Sequence, residues 1–220
     1  MVAARMRGAW LAPALFAHAM LAFAVPPTPQ ELAEWCANAE DASHCGRLVE
    51  AQQLKRLPGL ATRDGLNLKV TLFPSGTTTF SDVEDLRGGK SYSLWDTLDP
   101  INAVVLYTTE GDRAGFLLLQ RTSGRRVVLP SEPTLAPDRQ RIATADFCAT
   151  SCENEVAVWR VQRDGVTREL AWQPREQWTD ATAKWKDATT LVIQYKDAGG
   201  EARTLERSLT AADWRRLDPR

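Results

Sequence analysis

Four times after residue 58 the sequence repeats one local pattern, two β-rich runs around a glycine-bearing turn. LNLKVTLF and TTTFSDV flank Pro74-Ser75-Gly76, and FLLLQR and RRVVL flank Ser123-Gly124. EVAVWRV and VTRELAW flank Asp164-Gly165, and TLVIQYK and ARTLERSL flank Gly199-Gly200. β-Branched and aromatic residues suit a pleated sheet, and a short Gly-bearing turn between two such runs is a hairpin signal. The turns at Ser75, Ser123, Asp164 and Gly199 recur with a loose period of about 40 residues. The chain is therefore expected to be mainly β, built from repeated antiparallel hairpins.

The segments leading into the later hairpins also correspond. LDPINAVVLY (98–107), APDRQRIATA (136–145) and KWKDATTLVIQY (184–195) each set an acidic or proline turn ahead of an apolar strand. PTLAPDRQRIATA (133–145), with its apolar-x-Pro-Asp turn, resembles the approach to the inner strand in TolB- and WD40-type β-propeller repeats. The resemblance covers one clear repeat and two degraded ones. It implies a propeller-like stack of up to four blades, four being the lower limit for closure. An antiparallel β-sandwich or curved sheet is the alternative.

Ahead of the hairpins lie two different segments. Residues 1–24 read as a signal peptide: Arg5 and Arg7 precede the uncharged run WLAPALFAHAMLAF, and Ala22-Phe23-Ala24 supplies a small-x-small cleavage pattern. The run is short for a bilayer span, which needs about 20 apolar residues. No cysteine stands at the new N-terminus to carry a lipid. Residues 25–58 then read as a helical hairpin. Thr28 can cap, Pro29 suits the first helical position, and Glu31 can close a capping box. Helices are expected over 30–39 and about 42–56, with Leu32, Trp35, Leu48, Val49 and Leu54 on their buried side and Pro58-Gly59 as the stop. Residues 59–220 form the β-rich domain, in which Thr210-Ala-Ala-Asp213 predicts a short closing helix through Trp214.

Cys36, Cys45, Cys148 and Cys152 all lie after the leader, and an even number in an exported chain argues for disulfides. Three connectivities are open. Local pairing, Cys36 with Cys45 and Cys148 with Cys152, would clasp the helical hairpin and the loop between two strands. A redox pair would want cations or a helix N-terminus to lower a thiol pKa, whereas Glu153 and Glu155 follow Cys152. A zinc site would want Cys-x2-Cys spacing, which neither pair has.

Composition narrows the function. Loss of residues 1–24 removes Arg5, Arg7 and His18, leaving a mildly acidic chain of net charge about −3 with His44 as its single histidine. No basic block invites nucleic acid, no second long apolar stretch invites a membrane span, and one histidine disfavours His-based triads and multi-His metal sites. No cofactor or metal motif is present, and no Walker loop, nucleophile elbow or His-Glu-x-x-His occurs. Carboxylate chemistry remains open through Asp96 and Asp99 in LWDTLDP and through Asp82, Glu84 and Asp85 in SDVED.

Seven tryptophans follow the leader: Trp35, Trp95, Trp159, Trp172, Trp178, Trp185 and Trp214. An indole serves a core equally well as a binding face. Trp95, Asp96, Asp99, Trp159 and Trp172 are the candidate binding residues, and Arg121, Arg125, Arg126, Arg160 and Arg163 on adjoining hairpins could meet an acidic partner. The expectation is a periplasmic or secreted, non-enzymatic binding or scaffold protein, whose partner is a protein or cell-wall component. The alternatives are an inhibitor or immunity-type protein against a cell-wall enzyme, and a carboxylate-dependent glycosidase or hydrolase.

Overall fold

The computed structural model describes residues 26–85, 89–111 and 113–217. The expected export leader, residues 1–24, lies outside the described residues. Helix α1 spans Pro29–Trp35 and α2 spans Ala42–Arg56. Thr28 and Glu31 form the expected capping box, the Thr28 N–H donating to Glu31 Oε2 at 2.8 Å and the Glu31 N–H to Thr28 Oγ1 at 3.2 Å. Asp41 caps α2 by accepting the His44 N–H at 2.7 Å. Helix α1 stops at Trp35, short of the expected Ala39, because the chain must turn back for Cys36 to bond Cys45, at a Cα–Cα separation of 4.9 Å.

Fifteen strands follow among the described residues, most of them in hairpin meanders. Strands β1 (Ala61–Asp64), β2 (Asn67–Thr71) and β3 (Thr77–Ser81) make sheet A. Strands β4 (Lys90–Leu98), β5 (Ala103–Glu110), β6 (Arg113–Gln120) and β7 (Arg126–Leu129) make sheet B, with a 3-10 turn at Asp99–Ile101. Strands β8 (Thr134–Leu135), β9 (Arg141–Asp146), β10 (Glu155–Gln162) and β11 (Gly165–Trp172) make sheet C. Strands β12 (Trp178–Trp185), β13 (Thr190–Asp197) and β14 (Ala202–Ser208) make sheet D, after which β15 (Arg215–Arg216) returns to the edge of sheet C beside β11. All pairings are antiparallel. The four hairpins expected from sequence are β2–β3, β6–β7, β10–β11 and β13–β14. Gly124 and Gly200 turn two of them with φ of 71° and 80°, a region open to glycine without steric cost.

The sheets lie one on the next in chain order. Leu68, Val70 and Phe80 of sheet A pack on Leu94, Leu106 and Leu119 of sheet B. Leu118 and Leu129 of sheet B share a second core with Ile142 and Val166 of sheet C. Val158 and Leu170 of sheet C meet Trp178, Leu191 and Ile193 of sheet D in a third. Side chains also stitch the layers: Arg121 Nε donates to Thr71 O at 2.8 Å, Ser123 Oγ to Asp164 O at 2.9 Å, and Trp185 Nε1 to Thr134 O at 2.9 Å. The outer face of sheet A is polar, carrying Thr62, Lys69 and Thr79 in one cross-strand row and Asp64, Asn67 and Ser81 in another. Sheet D ends the same way, with rows Asp180–Lys196 and Thr182–Gln194–Thr204 turned to water. The architecture is mainly β with an N-terminal helical hairpin, a stack of curved antiparallel sheets that does not close into a barrel.

The C-terminus differs from the sequence expectation. Residues 209–214 form turns in place of a helix: Ala211 N–H bonds Ser208 O at 3.2 Å, and Trp214 is buried with its Nε1 donating to Ser208 O at 2.8 Å. Arg215–Arg216 then pair with Leu170 and Ala171. A four-residue helix must bear the full nucleation cost for few hydrogen bonds, whereas the turns bury an indole and extend a sheet.

Candidate functional site

Strand β4 does not read as a strand in the sequence, since SYSLWDTL mixes serine, aspartate and threonine with Leu94, Trp95 and Leu98. It is nonetheless enclosed, with sheet A on one face and α2 on the other. Residues 93–97 are all buried. The register slips between Leu94 and Asp96, so Trp95 is the extra residue of a β-bulge. Leu94 opposes Leu106 and faces sheet A, whereas Asp96 opposes Val105 and shares its helix-facing side with Trp95.

On α2 Val49 is buried as expected, but Gly46, Glu50 and Gln53 are buried beside it, while Leu48 and Leu54 are only half-buried. Those polar groups are matched to β4. Gln53 Nε2 donates to Trp95 O at 2.5 Å, and Leu94 N–H donates to Glu50 Oε2 at 2.9 Å. Arg63 of β1 clamps Glu50 with two bonds, Nε to Oε1 at 2.8 Å and Nη2 to Oε2 at 2.7 Å. Arg47 donates to Tyr92 O at 2.8 Å and pairs with Asp82, which also accepts the Tyr92 N–H at 2.9 Å. A charge-assisted fork of this kind satisfies a buried carboxylate that would otherwise be costly. It ties the helix to sheets A and B at once.

Above this network opens a cleft of about 840 Å³, with Asp41–Ser43 at the start of α2 on one side and Leu66 and residues 82–85 on the other. Ser91 and Thr109, hydrogen-bonded to each other through their hydroxyls at 2.6 Å, line it together with Arg47 and Lys90. Leu66 and Val83 are 43% and 57% exposed, and only Phe73 and Val128 join them as exposed large hydrophobics among the described residues. Backbone bonds hold the two in place: Asp82 N–H to Leu66 O at 2.9 Å, and Val83 and Lys90 exchanging N–H···O bonds at 2.8 and 2.9 Å. Two smaller depressions lie on the exposed part of sheet B, at Tyr92, Thr108, Leu117 and Val128, and on the polar outer face of sheet D.

The candidate residues named from sequence are dispersed. Trp95 is buried against Tyr107 and Phe116, with ring centroids 5.1 and 5.5 Å away, and its Nε1 donates to Glu132 Oε1 at 2.8 Å. Asp96 is 6% exposed and its Oδ1 has no hydrogen-bond partner among the described residues. Burial, followed by the charges of Glu132 and Asp99, raises its pKa to about 7 against a partial opposing backbone bond. Glu132 is exposed as a residue, yet burial of its carboxyl raises its pKa too, opposed by the Trp95 bond. Asp99 is exposed and accepts Thr97 Oγ1 at 2.5 Å. Trp159 is half-buried at the B–C junction, donating to Thr144 Oγ1 at 3.0 Å. Trp172 is half-buried under the Arg207 guanidinium, 3.8 Å above its ring, and donates to Asp213 at 3.1 Å. Neither Asp96 nor the three tryptophans line any of the three clefts.

The arginines noted on the hairpins mostly bridge layers. Arg126 of sheet B sits 4.2 Å over the Phe80 ring and donates to Thr78 Oγ1 of sheet A at 2.7 Å, whereas Arg160 pairs with Glu169 at 2.6 Å within sheet C. Cys36–Cys45 and Cys148–Cys152 are both bonded, with S–S distances of 1.99 and 2.12 Å. No cluster of three or more metal-ligating side chains occurs among the described residues, and none of their helices is long and apolar enough to cross a membrane.

What sequence reasoning passed over is the apolar part of the cleft. The sequence marks Asp82, Glu84 and Asp85 as carboxylates, but Leu66 and Val83 read as ordinary strand residues. No protein-family model, curated protein or solved structure matches the chain.

Proposed function

We propose that the protein is an exported, non-enzymatic binding protein that recognises its partner through the cleft between α2, Leu66 and the SDVED segment. One observation carries the reading: two of the four exposed large hydrophobics of the described chain meet at the rim of its 840 Å³ cleft. Exposed apolar side chains clustered on a concave surface mark an interaction site more than scattered ones do. The rim is also firmly supported. Arg47 and Asp82, which line the cleft, are held by the Glu50–Arg63–Arg47–Asp82 network, so little ordering cost remains at these two residues to oppose binding. Export is supported by the leader-like residues 1–24 and by two disulfides, which persist in the periplasm or outside the cell. The partner is a protein or cell-wall component, and a cell-wall enzyme blocked at the cleft is the inhibitor form of the same reading.

The chain of four sheets supports this role by holding the cleft on a frame with polar ends. The TolB- and WD40-type likeness of residues 133–145 fits such a frame as an open relative of a propeller.

A photo-crosslinking amino acid at Val83, compared with one at Lys69 on the outer face of sheet A, tests the site in the exporting cell. A discrete adduct from position 83 and none from position 69 is expected. Equal labelling from both positions, or none from position 83, would refute the reading.

A further inference from the structure

We infer that the free edge of β3 is a strand-addition site, which takes an extended peptide segment of a partner with aliphatic residues at alternate positions. This surface is separate from the cleft and goes beyond the reading given above.

The backbone register exposes the edge. Hydrogen-bonded and non-bonded pairs alternate along an antiparallel ladder. At the two ends of the β2–β3 hairpin Leu72 N–H donates to Gly76 O and Asp82 N–H to Leu66 O, both at 2.9 Å. The pairs Val70–Thr78 and Leu68–Phe80 between them fall in the same phase. Thr77, Thr79 and Ser81 therefore turn their N–H and C=O groups away from β2, and all three residues are exposed. Val83 continues this series, and its outward groups do find a strand, exchanging bonds of 2.8 and 2.9 Å with Lys90. Past Lys90 no strand lies beside β3 among the described residues, and the Arg126 guanidinium stands 3.5 Å from Thr79 O.

A floor for one face of an added strand adjoins this edge. Sheet A has three strands and sheet B four. β3 crosses sheet B from Arg126, which holds Thr78 Oγ1 at 2.7 Å, to Tyr92, whose ring centroid is 5.3 Å from that of Phe80, and on to Lys90. The depression of about 560 Å³ on sheet B runs between the same ends, lined by Lys90, Tyr92, Thr108, Leu117 and Val128. Register puts Tyr92, Thr108, Leu117 and Val128 on the face that carries Leu94 and Leu106, which sheet A covers elsewhere. Val128 is 74% exposed, the highest value among the exposed large hydrophobics of the described chain. A strand laid along β3 bonds Thr77, Thr79 and Ser81 through its backbone and sets alternate side chains on this floor.

Two features select the occupant. Residues 77–81 hold no charge or proline, the devices that keep strands off an edge, whereas β14 at the edge of sheet D carries Arg203, Glu206 and Arg207. A second copy of the chain does not fit. Any antiparallel register that keeps both Phe80 rings inside sets the two sheet B floors on one side of the joined edges, where each already projects past its own β3. A single extended segment brings no floor of its own, and aliphatic groups on its inner face bury Val128 and Leu117.

The test uses the mature chain with disulfides intact and a blocked peptide of alternating valine and threonine, ended by glutamates for solubility. Two further forms carry N-methyl groups on one or the other alternate set of backbone amides, which removes donors from one edge of the peptide strand only. Calorimetry measures affinity, and NMR measures amide exchange at Thr77, Thr79 and Ser81. The parent peptide is expected to bind and to slow exchange at these three amides at least about tenfold. One methylated form should bind like the parent, and the other should lose at least about tenfold. Val128→Glu should weaken binding about tenfold, and Leu66→Asp on the cleft rim should leave it unchanged. Thermal melts confirm that each variant folds.

Equal loss with both methylated forms overturns strand addition, as does binding that leaves the three amides exchanging as before. Binding untouched by Val128→Glu also overturns it, since the floor then takes no part. Loss with Leu66→Asp in place of Val128→Glu moves the peptide to the cleft, and protection of the three amides in concentrated chain without peptide makes the occupant a second copy. Either result defeats the inference, and so does an absence of binding at about 1 mM peptide.

Discussion

Asp96 is the residue whose environment departs furthest from its ordinary chemistry. A carboxyl of ordinary pKa 3.8 is raised to about 7 by burial and by the neighbouring charges of Glu132 and Asp99, so the folded protein holds a proton that the unfolded chain releases. The sign follows. Stability from this group is full below pH 3.8, falls as pH rises toward 7, and is gone above that value. A gap of about three pKa units corresponds to roughly 4 kcal/mol as an upper bound. Asp96→Asn should therefore gain on the wild type as pH rises, by roughly 1–3 kcal/mol at pH 8 and by little at pH 4. Urea melts at the two pH values measure the difference, and equal differences at both would contradict it. Gly46 offers a second residue-scale expectation. A Cβ there would stand 2.9 Å from Tyr107 Cδ1 and 3.0 Å from Ser93 Oγ, so Gly46→Ala should cost about 1–2 kcal/mol despite its better helix propensity. Both residues are plain letters in the sequence. Asp96 was flagged as a carboxylate, but its burial arises from a bulge that no local pattern announces.

At the scale of elements, α2 is held by polar groups as much as by apolar ones. Its sequence places leucines where an amphipathic helix would bury them, yet the structure buries Glu50 and Gln53 instead. The reason lies in β4 and β1, which present backbone groups and Arg63 at the matching positions. Arg63→Leu should destabilise by about 2–4 kcal/mol, because it removes both fork bonds from buried Glu50 and leaves it only Arg47 and the Leu94 N–H, whereas exposed Arg160→Leu should cost no more than about 1 kcal/mol. Chemical denaturation of the two variants compares them directly. The Cys36–Cys45 bond closes a short loop between α1 and α2. Its replacement by Cys36→Ser with Cys45→Ser should cost about 2–3 kcal/mol by freeing the unfolded chain. The pairing partners were readable as the local option among three, since each pair flanks its own turn. The strands were readable wherever β-branched runs met glycine turns, and unreadable at β4, whose polar residues are satisfied by elements distant in sequence.

At the scale of the whole molecule, four sheets are stacked and both end faces are polar. Sheet A closes the stack with threonine and lysine rows, and sheet D with charged and amide rows. Terminal units of a stack need such faces to avoid end-to-end growth. Lys69→Val combined with Thr79→Val, neighbours on the outer face of sheet A, should create an apolar strip and drive association beyond that of the parent chain. Light scattering across a concentration series gives the answer. A variant as monodisperse as its parent would show that the polar rows are not what limits assembly.

Strand runs, glycine turns, helix caps and cysteine spacing are short-range features, each set by residues within a few positions of one another. The sequence alone therefore determined the mainly β class, the helical hairpin, the four hairpins and the local sulfur pairs as the favoured pairing. The order of stacking, the burial of Asp96 and Glu50, and the meeting of Leu66 and Val83 at one cleft depend on contacts between distant segments. Glu50 and Leu94 stand 44 positions apart and Arg121 and Thr71 stand 50 apart. Only the tertiary structure decides these, because the free energy of a buried polar group is settled by whichever partners the fold brings to it.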